Sequence, residues 1–194
     1  MTATRPLVAL AAAILATAVM NGAAAGTQTA SNTPKQEFTA NAVNMSNVGN
    51  PGASQVEITV NAYTTDAARD RLMEVFRKDG EAALLRALQN ERSVGSIRAP
   101  GSLAYDLRYA RELPGEEGGR RLILATDRPI GFAEARNNPR TLDYPFTLIE
   151  LRLDGEGRGE GRLSIATKLT LNDNVLVIEN YADQPVMLKA VRRR

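Results

Sequence analysis

The sequence predicts an α+β fold: a mostly antiparallel, strongly curled or barrel-like sheet of about eight or nine strands, with a helix pair inserted after strand 2. Three observations carry this. The stretch from Tyr144 to Arg192 reads as a four-strand meander, with Thr147, Ile149, Leu151 and Leu153 on one parity and Glu150 and Arg152 on the other. Leu163, Ile165, Thr167, Leu169 and Leu171 repeat that alternation, and Val175–Glu179 and Val186–Val191 follow. A period of two sends successive side chains to opposite faces of a sheet. Against this stand two helical stretches, in the first of which Ala68, Leu72, Val75 and Phe76 fall on one stripe and Arg69, Asp70, Arg71, Glu74, Arg77 and Lys78 on the other.

The elements follow in order. Met1–Arg5 carries one positive charge, an apolar run spans Leu7–Met20, and Ala23-Ala24-Ala25 closes it. That is the pattern of a signal peptide cut after Ala25, too short and Ala-rich for a membrane span. Residues 26–36 are small and polar and read as a disordered leader, which leaves 37–192 as one domain. Phe38–Met45 alternates weakly as a first strand, and Asn44–Gly52 is turn chemistry. In Gln55–Tyr63, Val56, Ile58 and Val60 face one side. Thr64 or Thr65 caps the first helix, Gly80 ends or breaks it, and a second runs from about Glu81 to Asn90 with Leu84, Leu85 and Leu88 apolar. Val94–Arg98 is a short strand, and Leu103–Leu113 another with Tyr105, Leu107 and Tyr109 on one face. Pro114–Gly119 is a hairpin loop and Arg121–Thr126 an apolar strand. Asp127–Asp143 is a long irregular segment, and segments of that length in compact domains are often functional.

Composition narrows the chemistry. The chain has no histidine, which removes Ser-His-Asp and Cys-His catalysis, His zinc sites and His proton shuttles. It has no cysteine, hence no disulfide and no lipoprotein anchor, and no tryptophan to serve as a stacking platform. A formal net charge of +2 gives no basic patch of the kind nucleic acid requires. The Asp154–Gly161 run mimics a calcium loop, but Arg158 stands at a ligand position; it also mimics a phosphate loop, but a strand follows rather than a helix. It reads as a hairpin tip. No cofactor and no metal site is expected.

The candidate site is a strand end. Thr126-Asp127-Arg128-Pro129 places an acid and a base where the apolar strand stops, and Arg136 and Phe132 follow in the same segment. Asp127 orienting Arg128 by a bidentate pair would make an anion pocket, with Tyr109 and Tyr144 as apolar walls; the alternative is an ion pair that pins the turn. Asp106, Asp127, Glu134, Asp143 and Glu150 are the acids a His-free hydrolase could pair, although no spacing pairs them.

Phe38–Asn47, Thr126–Pro129 and Tyr144–Glu150 resemble a group of exported bacterial proteins to which no activity is assigned. The resemblance spans most of the chain after residue 25 and implies a compartment, periplasmic or secreted, and nothing about activity. The sequence therefore leads to an exported soluble protein that binds a small apolar, amphipathic or anionic ligand or an envelope partner. A structural interaction protein without a pocket and a carboxylate hydrolase are the alternatives.

Overall fold

The computed structural model describes residues 35–45, 52–130, 145–172, 175–180 and 184–194. The expected signal peptide, most of the expected leader, and Phe132, Arg136 and Tyr144 lie outside the described residues.

Strand β1 (Gln36–Asn44) pairs antiparallel with β2 (Gly52–Val60), in a register that sets Phe38 opposite Ile58. Their alternation buries Phe38, Ala40 and Ala42 with Val56, Ile58 and Val60 on one face. Helix α1 (Asp66–Asn90) follows. Its start is fixed locally and from across the fold. The Thr65 hydroxyl accepts from the Ala68 N–H at 3.2 Å, and Asp66 lies in the first turn, where the exposed amides favour an acid. Thr64 and Ala110 exchange two hydrogen bonds, Thr64 N–H to Ala110 O at 2.8 Å and Ala110 N–H to Thr64 Oγ1 at 3.0 Å.

The remaining strands are β3 (Gly95–Arg98), β4 (Tyr105–Leu107), β5 (Tyr109–Pro114), β6 (Arg120–Thr126), β7 (Phe146–Leu153), β8 (Arg158–Asn172), β9 (Val175–Asn180) and β10 (Val186–Arg193). A 3-10 turn, Glu116–Gly118, joins β5 to β6. Among the described residues all ladders are antiparallel, and ten strands form one sheet in the order β4-β3-β2-β1-β10-β8-β7-β6-β5, with β9 attached to β8. Among the described residues no helix is long and apolar enough to cross a membrane.

This corrects the expected architecture in four respects. The strongly curled or barrel-like sheet does not hold, because the order is open and, among the described residues, no ladder joins β4 to β5. The helix pair does not hold either: α1 is a single helix of 25 residues, and Gly80, at φ 76° and ψ −168°, breaks its regularity without a connecting loop. The predicted Leu103–Leu113 strand is divided at Arg108, whose N–H goes to Ala125 O at 2.9 Å. Side-chain parity changes there, so Leu107 faces the main core while Tyr109 faces the helix. Finally, the last four strands are not a meander. Strand β8 is 15 residues long; its first half pairs with β7 and β10, and its second half with β9, so β10 returns between β8 and β1.

Glycine makes that return feasible. A Cβ at Gly159 would lie 1.8 Å from Arg152 O, and one at Gly161 2.5 Å from Glu150 O. Only bare backbone allows β7, β8 and β10 to approach so closely.

The described buried apolar residues form two clusters. The larger joins the inward faces of β1 to β8 and β10, including Ile58, Ile97, Leu107, Leu122, Leu151 and Leu188, all fully buried. The smaller joins α1, through Leu72, Phe76 and Leu88, to Phe146, Leu169 and their neighbours on the outer face. Strand β6 serves both: Leu122 and Leu124 point to the first, while Ile123 and Ala125 are buried on the other side. That two-sided burial explains its unbroken apolar sequence.

Candidate functional site

A cavity of about 400 Å³ lies between α1 and the outer face of the sheet. The helix contributes Leu72, Met73, Phe76, Leu84 and Leu88 to its wall. Opposite stand Tyr109 on β5, Ile123 and Ala125 on β6, Phe146 and Leu148 on β7, Leu169 on β8 and Ile178 on β9. The volume is within the range of small-molecule sites, and the mix of a mostly apolar wall with a few polar groups is also typical of them.

The helix is held over this face at three places. At its start Asp66 Oδ1 accepts from Arg111 Nη1 on β5 at 2.7 Å. Just past the Gly80 break, the Glu81 carboxylate accepts from the Leu169 N–H on β8. At its end Glu91 O accepts from Arg108 Nη1 at 3.0 Å. A helix anchored along its length bridges the outer face, and the wall of large apolar side chains beneath it keeps a space.

Polar groups gather on the sheet wall, where Glu150, Arg162, Ser164 and Asn180 line it from β7, β8 and β9; Arg69 lines the groove from the helix. Glu150 is engaged by Arg152 Nε at 3.0 Å and Arg121 Nε at 3.7 Å. Arg162 stands directly across the ladder from Glu150, half-buried, with no ion-pair partner among the described residues. Asn180 Oδ1 is buried, also without a hydrogen-bond partner among the described residues. Burial within the wall raises the Tyr109 hydroxyl above its ordinary pKa.

The predicted strand-end residues are placed differently. Tyr109 is in the cavity wall, as just described, but Asp127 and Arg128 do not line it. Asp127 is buried between two arginines, with Arg128 Nε 3.4 Å from Oδ1 and Arg108 Nε 3.6 Å from Oδ2. The first contact is a single hydrogen bond instead of the bidentate pair the sequence suggested, and the Arg128 side chain is 59% exposed. The turn itself is tied by hydroxyls: Thr126 and Thr147 both donate to Arg128 O, and Thr147 Oγ1 accepts from the Ile130 N–H at 2.9 Å. These bonds supply a structural account of Thr126–Pro129. Phe132, Arg136 and Tyr144 lie outside the described residues.

The acids of interest face arginines. Asp106 lies 3.3 Å from Arg108 Nη2, and Asp127 and Glu150 are paired as above. At the far end of the main core, Tyr63 donates to Glu112 and accepts from Gln36 Nε2 at 3.0 Å, while Arg120 Nη1 reaches Gln36 Oε1 at 2.9 Å and Glu112 at 3.2 Å. The Arg120 guanidinium also stacks 5.9 Å from the centre of the Phe38 ring. Burial, and then the Glu112 hydrogen bond, push the Tyr63 pKa well up, so its hydroxyl stays protonated. This cluster seals the edge of the core with a closed set of polar partners. The Asp154 loop is likewise self-satisfied, since Asp154 Oδ1 accepts from Glu156 and Arg158 N–H groups, both at 2.9 Å. Among the described residues no group of three or more acidic side chains could hold a metal ion.

The cavity was not legible as such. Leu72 and Phe76 read as apolar positions of one helix and Leu84 and Leu88 as those of a second, where the structure has one helix, and nothing in the sequence says that such a stripe stands off its sheet. Comparison with protein-family profiles, curated proteins and solved structures gives no match for the chain.

Proposed function

We propose that the protein is an exported, periplasmic or secreted, binding protein that takes a small amphipathic molecule into the groove between α1 and the outer face of the sheet. The observation that carries this is the cavity of about 400 Å³, walled by Leu72, Phe76, Leu84, Leu88, Tyr109, Phe146 and Leu148. Burying a ligand's apolar surface there stabilises the complex by roughly 25 cal/mol per Å² before the costs of ordering it. The polar groups at one wall give the ligand an orientation. The arginine partners of Asp106, Asp127 and Glu150 favour binding over carboxylate catalysis.

The test uses the environment-sensitive dye anilinonaphthalene sulfonate, with the protein and its Ala125→Leu variant. Ala125 lies in the groove wall, so a leucine there fills the space. Saturable dye fluorescence in the wild type that is lost in the folded variant is the expected result. No enhancement, or enhancement equal in both, contradicts the proposal.

A further inference from the structure

We infer that the ligand is a carboxylic acid with a single aliphatic chain, and that Arg162 determines this specificity by pairing with the carboxylate. The inference rests on the groove being a binding site. Its evidence is the distribution of charge around the groove. Glu150 already has Arg152 and Arg121 as partners, so it neither needs another cation nor leaves an unbalanced anion on that wall. Arg69 is held by its neighbour Asp70. Arg162 differs from both: it lines the groove, is half-buried, and has no ion-pair partner among the described residues.

A half-withdrawn cation without a counter-charge is unfavourable, and a ligand that supplies an anion relieves it. The guanidinium fork matches a carboxylate with two parallel hydrogen bonds. One unpaired arginine suits a head group of single charge; a doubly charged phosphate head would call for more cations than this wall offers. Asn180 lies on the same wall with Oδ1 buried and unpartnered among the described residues, so the polar seat is unsatisfied in a second group independent of Arg162. Across the groove, Leu72, Phe76 and Leu84 of the helix present only hydrocarbon to the chain.

The experiment is calorimetric titration with decanoate and decanol, which share a chain length and differ in the head group. Both are kept below their aggregation limits at neutral pH, with the wild type and Arg162→Gln. Charge-assisted hydrogen bonding predicts decanoate binding roughly tenfold to a hundredfold tighter than decanol. Arg162→Gln should abolish that preference, and Arg162→Lys should restore part of it. Equal wild-type affinity for the two probes overturns the carboxylate assignment while the groove reading stands. So does a preference that survives Arg162→Gln. Binding of neither probe overturns the groove reading and this inference together. The wild-type comparison decides by itself should a variant fail to fold.

Discussion

The two faces of one sheet are built from similar residues and packed differently. On the inward face, strands meet strands: Val56, Ile58, Val60, Ile97, Leu107, Leu122 and Leu124 are all 0% exposed. On the outer face, a helix with a 3.6-residue period lies across a surface with a period of two, and Gly80 interrupts its course. It is tied down at Asp66, Glu81 and Glu91, and so stands over the sheet as a bridge. The lesson is that apolar composition does not decide whether a layer becomes core or container. The decision lies in whether both layers can interdigitate, and a helix fixed by polar anchors cannot settle further to close a gap.

Truncation should separate the faces most strongly. Leu122→Ala, within the fully buried cluster, should cost about 2–5 kcal/mol by chemical denaturation. Leu84→Ala, in the wall of an existing space, should cost about 1 kcal/mol, since few contacts are lost. Equal costs would mean that the outer face is ordinary core. Next in size is strand approach: Gly159→Ala puts a methyl group against Arg152 O and should cost about 1–3 kcal/mol as β7 and β8 separate.

The Tyr63 cluster sharpens the account of the inward face. Tyr63→Phe should cost about 1–2 kcal/mol by removing a hydrogen bond to a charged acceptor. Because the folded pKa of Tyr63 lies above its ordinary value of 10.0, its contribution is complete below that pH and is lost as pH rises through the higher folded value. The wild type should therefore lose stability on strong alkalinisation more steeply than Tyr63→Phe, and parallel pH profiles would contradict the cluster's role. Enlargement gives a smaller effect of opposite sign on the two faces. Ala125→Leu should gain about 0.5–2 kcal/mol by filling the groove, whereas Ala110→Leu in the packed cluster should destabilise. Smallest is Arg128→Ala, at under about 1 kcal/mol, because that guanidinium is largely in solvent.

Much of the inward face was legible. Val56, Ile58 and Val60, or Ile149, Leu151 and Leu153, alternate plainly, and burial follows the alternation. A threonine cap, which the structure assigns to Thr65 over Thr64, and the turn at Asp154 were also readable, because both are local hydrogen-bond chemistry. What was not legible depends on distant partners. No pattern in Val186–Val191 says that β10 inserts between β8 and β1, and no pattern around Tyr109 shows the parity change that Arg108 makes by bonding to Ala125. Gly80 reads equally as a helix end or a break, and anchors on both sides resolve it as a break. At the candidate site, Tyr109 was singled out as an aromatic wall for a pocket on Arg128, which does not line the groove, and nothing in the sequence marked Arg162. That Glu150, its cross-strand neighbour, is already engaged by Arg152 and Arg121 is visible only in three dimensions.

The most direct measurement is an NMR titration of the isotope-labelled protein with decanoate, following side-chain methyl groups on both faces. The account predicts saturable shifts at Leu72, Leu84, Leu88 and Leu148, with Ile58, Leu122 and Leu151 unmoved. Shifts centred on the inward face, or none on either, would contradict the assignment of the helix-covered face as the container.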